Sequence, residues 1–171
     1  MLWLILFIVK MTNDLQKSKW RGRAIRYAPL FLWIAVIFLA STTQGSMSKT
    51  SYLVRPLLEF LFPDAPEETL IVYHGYIRKL AHLVEYAILA FWSSRAFQSS
   101  SAKLLQNFWF IASLFLVILV ASIDEYNQSF DIQRTGSIYD ILIDVSGGLL
   151  MVIVLTMWRV LRNQRVKKNS F

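Results

Sequence analysis

Cysteine is absent from this chain of 171 residues. That excludes disulfides, thiolate nucleophiles and Cys-ligated zinc or iron–sulfur centres. Histidine is almost absent: His74 and His82 stand alone, with no Gly-x-Ser-x-Gly elbow, so nothing marks a serine-hydrolase triad. The six glycines and four prolines form no linker, and the chain has no internal repeat or low-complexity tract. Acidic residues are in deficit, 11 against 18 lysines and arginines, for a formal charge of +7. Such a surplus can mark a nucleic-acid binder. Here the basic residues stand mostly beside long apolar runs, where membrane topology places them. No nucleic-acid partner is expected.

What is abundant is apolar side chain. The chain is 56% hydrophobic and 15% aromatic, with a mean hydropathy of +0.46, too apolar for a soluble globule of one-domain length. The apolar residues come in blocks, the signature of an all-α, polytopic membrane helix bundle. Four spans are expected, at about 27–43, 77–97, 104–123 and 138–158, with the lipid bilayer as first partner. They divide the chain into a basic N-terminal segment (1–26), a membrane domain (27–158) and a basic tail (159–171). Residues 1–9 are apolar but too short to cross a bilayer. They lack the basic leader and small-residue cleavage site of a signal peptide, and Met11 is an alternative start to Met1. Pro29 falls in the first turn of the first span, where a missing N–H does no harm.

In the long connection over 46–76, Tyr52, Leu53, Leu57, Leu58, Leu61 and Phe62 recur at helical spacing. The Pro63-Asp64-Ala65-Pro66 turn follows, then a second amphipathic piece over 67–76 opened by Glu67 and Glu68. Both pieces are expected to lie as short helices on the membrane surface. Charge orients the whole. The N-terminal segment, the 98–103 turn with Arg95, and the tail are basic, whereas every acidic residue but Asp14 lies in or near the other two connections. The positive-inside bias then puts both termini in the cytoplasm and the 44–76 and 124–137 connections outside.

Against this background residues 122–148, SIDEYNQSFDIQRTGSIYDILIDVSGG, stand out. Asp124, Glu125, Asp131, Arg134, Asp140 and Asp144 crowd between two runs long enough to span. On the second span His82 lies three residues before Glu85 and four before Tyr86, so the three share a helix face. An unpaired charge near hydrocarbon costs on the order of 2.5–3.5 kcal/mol. Pairing of Arg134 with Asp124, Asp140 or Asp144 is therefore expected whatever else the cluster does. Beyond pairing, three chemistries are open. Arg78, Lys79 and Arg134 can grip an anionic headgroup. His82, Glu85 and Asp124 or Asp144 can hold a cation, and His82 can relay protons. No cofactor is implied, and the oligomeric state is left open. Gly136 reads as a turn residue and Ser137 as the N-cap of the fourth span, with Asp140 in capping-box position. Asp144, a turn deeper, has no such structural role. Gly147 and Gly148, further along the same side, mark close approach to a neighbouring helix.

The ordered set Lys79-x-x-His82-x-x-Glu85-Tyr86, Asp124-Glu125-x-x-Gln128-Ser129-Phe130, Arg134-x-Gly136-Ser137, Asp140-x-x-x-Asp144 and Gly147-Gly148 resembles the VanZ-like family. Ser41-Thr42 at the end of the first span fits as well, and the resemblance covers about residues 27–158. It implies a small bacterial inner-membrane protein of four to five helices. The name-giving member is associated with low-level resistance to the glycopeptide teicoplanin, by a route that does not remodel the peptidoglycan precursor terminus. Phe130-Asp131-Ile132-Gln133 departs from the Pro-Gly-containing segment of many relatives.

The expected site is an outward-facing polar pocket of Lys79, His82, Glu85, Tyr86, Asp124, Glu125, Gln128, Arg134, Ser137, Asp140 and Asp144. It would take an anionic envelope lipid or a cell-wall intermediate. Arg134 with Lys79 holds the negative group, and His82 and Glu85 form the opposing wall. Asp124, Asp140 and Asp144 fix Arg134 and His82, while Gly147 and Gly148 let the helices close. Two other classes remain: a membrane-embedded hydrolase or transferase acting on a lipid headgroup, and a structural or partner-binding bundle without its own ligand.

Overall fold

The computed structural model of the chain describes residues 2–41, 47–129 and 137–168. These residues form helices and no strand: α1 (Leu2–Ser41), α2 (Met47–Leu61), α3 (Glu67–Gln98), α4 (Lys103–Asn107), α5 (Trp109–Gln128) and α6 (Ile138–Lys168).

Several boundaries differ from the sequence expectation, each for a local reason. α1 is one helix of 40 residues, so Pro29 lies inside it rather than in a first turn. The ring removes one i→i−4 hydrogen bond, which helices in a bilayer tolerate. α3 runs unbroken for 32 residues, merging the expected surface piece 67–76 with the span from 77. No proline follows Pro66, and Gly75 does not leave the helical side of φ, so nothing stops the helix. The expected third span is instead divided at Phe108 into α4 and α5, and α5 continues to Gln128. Asp124, Glu125 and Gln128 therefore sit on the last turns of a helix, not in a loop.

α3 is the axis of the bundle and touches each of the other helices, α6 most extensively. Its partners fix the directions. Tyr27 of α1 donates to Ser100 beyond the end of α3 at 2.9 Å, while Trp33 reaches back to the Glu85 carbonyl at 3.0 Å, so the two are antiparallel. α5 is antiparallel as well, with Ser94 donating to Ser113 at 3.1 Å. The interior is built from small residues and a few large ones: Ala90, Ser93, Ser94, Ala96, Ser113 and Ala121 are fully buried beside Tyr86, Leu89 and Val117. Small side chains let helix backbones approach where lipid gives no hydrophobic drive to associate. Phe31, Leu32, Phe115 and Met157 point outward and are exposed, a surface suited to acyl chains.

Three helical stretches, Gly22–Ser41, Trp109–Gln128 and Ile138–Arg165, are long and apolar enough to cross a membrane. The chain is thus an all-α membrane helix bundle. α3, the expected second span, is not among the three, because His82, Glu85, Ser93, Ser94 and Arg95 dilute its apolar run. Ionisable residues on such a helix can face the bundle interior rather than lipid.

Among the described residues α2 packs on α3 alone. It buries Leu58 and leaves Tyr52, Leu57, Phe60 and Leu61 exposed. Arg55 clamps the pair, 2.7 Å from Glu59 and 2.6 Å from Glu67. The Glu59 hydrogen bond, followed by the Glu67 charge, holds this guanidinium above its ordinary pKa.

Candidate functional site between α3, α5 and α6

Helical spacing fixes which polar side chains meet. On α3, Arg78, His82, Glu85 and Tyr86 recur at three- and four-residue intervals and share one face. On α5, Asp124 and Gln128 are one turn apart, with Glu125 beside them. On α6, Asp140 and Asp144 are one turn apart near its start. The C-terminal ends of α1 and α5 and the start of α6 come to the same end of the bundle, so the three polar faces converge. Tyr86 is fully buried, and Asp124 and Asp144 keep only 1% and 2% of their surface. Asp124, Asp144, Glu85 and Tyr86 are near enough to interact electrostatically with one another.

Hydrogen bonds satisfy part of this cluster. The Gln128 amide donates to Asp124 Oδ2 at 2.9 Å and to Ser41 Oγ of α1 at 3.2 Å. His82 Nδ1 lies 3.7 Å from Asp144 Oδ1 and 3.9 Å from Glu85 Oε2, ion-pair range but beyond a hydrogen bond. Arg78 is placed to attract Glu125. Among the described residues, Tyr86 Oη, Asp124 Oδ1 and Asp144 Oδ1 are buried with no hydrogen-bond partner. Orphaned buried polar atoms are rare and call for a reason.

The start of α6 is capped differently from the expected capping box. Ser137 Oγ accepts the Tyr139 N–H at 3.2 Å, as an N-cap should. The Ser137 N–H, however, donates to Glu125 Oε1 of α5, not to Asp140. A carboxylate twelve residues upstream thus takes the place assigned to Asp140, because the end of α5 lies against the start of α6.

The glycines set the spacing. A Cβ on Gly147 would lie 2.1 Å from the Leu83 carbonyl oxygen of α3, and one on Gly148 would lie 2.8 Å from Val117 Cγ1 of α5. Gly147 is one turn beyond Asp144, and Leu83 adjoins His82. α6 therefore lies close against α3 and α5 beside the polar site.

The structure brings together His82, Glu85, Tyr86, Asp124, Glu125, Gln128, Ser137 and Asp144, with Asp140 near enough to Glu125 and Asp144 to interact with both. Lys79 is exposed on α3, one turn before His82. Arg134, with Asp131, Thr42, Thr43 and Gln44, lies outside the described residues, and so do the ion pairs expected of it. No group of three His, Asp or Glu side chains among the described residues has the arrangement of a metal site, so His82 with Glu85 and Asp144 gains no geometric support as one. Sequence reasoning missed Trp33, whose indole holds the Glu85 carbonyl. A tryptophan inside an apolar run carries no signal of its own.

These features define a class: a membrane helix bundle whose helices enclose an acidic network near one end. The VanZ/LLP1 family model matches residues 26–159, and the chain belongs to that family. No curated protein and no solved structure matches it.

Proposed function

We propose that this bacterial membrane protein binds or handles an anionic envelope lipid or cell-wall intermediate, through an outward-facing pocket at the polar end of the bundle. The observation that carries this reading is a set of buried polar atoms on three helices with no hydrogen-bond partner among the described residues, Tyr86 Oη, Asp124 Oδ1 and Asp144 Oδ1. A bundle with only structural demands would fill such positions with apolar residues at lower cost. In this reading Arg78, Lys79 and Arg134 hold the ligand's anionic group at the rim, while His82 and Glu85 line the entrance. α3 crosses the inner membrane alongside the three apolar helices. Both termini face the cytoplasm, as the basic flanks require. An effect on glycopeptide access, including teicoplanin susceptibility, follows from occupancy of an envelope intermediate at this site.

Two measurements test the proposal. Reporter fusions within 127–133 should report the outer side, and cytoplasmic activity there rules out the orientation. In cells that depend on this protein for an envelope or glycopeptide phenotype, Arg134→Ala and His82→Ala should abolish the effect at normal protein level. Full phenotype at normal level would sink the reading, and loss of protein in step with loss of phenotype would favour a structural bundle.

A further inference from the structure

Resting on that reading, the atoms left over inside the cluster restrict what can enter it. Asp124 Oδ1 and Asp144 Oδ1 are acceptors with no hydrogen-bond donor among the described residues, and Tyr86 Oη can accept as well. Among the described residues, three of the helices around them add further carboxylates. α3 contributes Glu85, α5 Glu125 and α6 Asp140, against His82, Arg78 and the exposed Lys79 among the described residues. His82 stands too far from Asp144 to donate a hydrogen bond, and Arg78 is near enough to Glu125 to attract it. The helix of α1 contributes Ser41, which is not charged and is bonded to Gln128.

An anion is repelled by this interior and belongs at the Arg78–Lys79 rim. A metal ion lacks its three-ligand group among the described residues. A quaternary ammonium has no N–H to offer and prefers an aromatic enclosure. Here Tyr86 is the one aromatic in the described cluster, and the nearby Trp33 indole is tied to a backbone carbonyl. What fits is a positive group with several N–H donors.

We propose that the site takes a primary ammonium group, with its N–H donors directed to Asp124, Asp144 and Tyr86 and the ligand's phosphate left at the basic rim. The amine is that of a phosphoethanolamine-type headgroup or of an amine-bearing cell-wall intermediate, two sources of one chemistry.

The test uses the full chain in nanodiscs, exposed to equal amounts of phosphatidylethanolamine, phosphatidylcholine and phosphatidylglycerol, with retained lipid counted by native mass spectrometry. Phosphatidylethanolamine should be retained over phosphatidylcholine by about tenfold or more, the worth of one charge-assisted hydrogen bond. Asp144→Asn and Tyr86→Phe should each erase most of that preference. Tyr86→Phe removes a hydroxyl and no charge, so it decides the matter if the aspartate variant fails to accumulate. Displacement by soluble phosphoethanolamine points to the headgroup. Displacement by a lysine-containing muropeptide, but not its N-acetylated form, points to the cell-wall intermediate. Equal retention of ethanolamine and choline lipids, or a preference unmoved by Tyr86→Phe, overturns the inference. If phosphatidylglycerol is still held in a Lys79-dependent way, the proposed function survives that result. If neither lipid nor muropeptide is held, both fall.

Discussion

Gly147→Ala probes a point where α6 lies close against the backbone of α3. Its methyl group would sit 2.1 Å from the Leu83 carbonyl oxygen and 2.9 Å from the carbonyl carbon, roughly 1 Å or more short of van der Waals contact. The obstacle is helical backbone, which cannot rotate away, so α6 must move off α3 as a body. Overpacking of this kind costs about 1–3 kcal/mol, and a backbone obstacle argues for the upper part of that range. Replacing glycine within a helix returns about 1 kcal/mol. A net loss of about 2 kcal/mol is expected.

Two other alanines calibrate the loss. Gly148→Ala meets a Val117 methyl at 2.8 Å, which a rotamer change can relieve, so its cost should be smaller. Gly75→Ala meets nothing within 4 Å and should stabilise by up to about 1 kcal/mol. Reversible unfolding in mixed micelles should rank them Gly75→Ala, wild type, Gly148→Ala, Gly147→Ala, from most to least stable. Displacing α6 would also lengthen the 3.7 Å approach of His82 to Asp144, so Gly147→Ala should disturb the site even where the protein accumulates. A Gly147→Ala protein as stable as wild type would refute this account of the α3–α6 crossing.

The hydrogen bonds and ion pairs give three further tests. Gln128→Leu strips Asp124 Oδ2 of its donor and should cost about 1–3 kcal/mol in the same unfolding assay. Glu125→Gln keeps an acceptor for the Ser137 N–H and should change stability little. Glu125→Leu orphans that N–H and should cost about 1 kcal/mol, with faster amide exchange at the start of α6. Arg55→Ala breaks two ion pairs that are exposed. It should cost no more than about 1 kcal/mol, and a larger drop in thermal stability would mean that α2 matters more to the fold than its packing indicates.

Much of the architecture is legible in the order of residues. The apolar blocks, the basic flanks and the i, i+3, i+4 spacing of His82, Glu85 and Tyr86 come from period and charge, which are local properties of a chain. The long surface connection is harder to read. Its proline turn marks where α2 ends, but nothing in the residues after Pro66 says whether the helix stops before the membrane or runs on through it. At the start of α6, Asp140 satisfies a capping rule of local sequence, whereas Glu125 wins through proximity across two helices. The same limit hides Trp33, whose partner lies on another helix.

By itself, then, the chain's covalent order determined that it forms apolar helices flanked by basic charge, with carboxylates and a histidine confined to their polar ends. Those outcomes depend on neighbours along one helix and on the cost of leaving water. Only the tertiary structure decided which carboxylate oxygens are satisfied and which are not, because a buried oxygen is paired or orphaned by groups arriving from other helices. The separation of those helices is set by two glycines and a seam of small side chains.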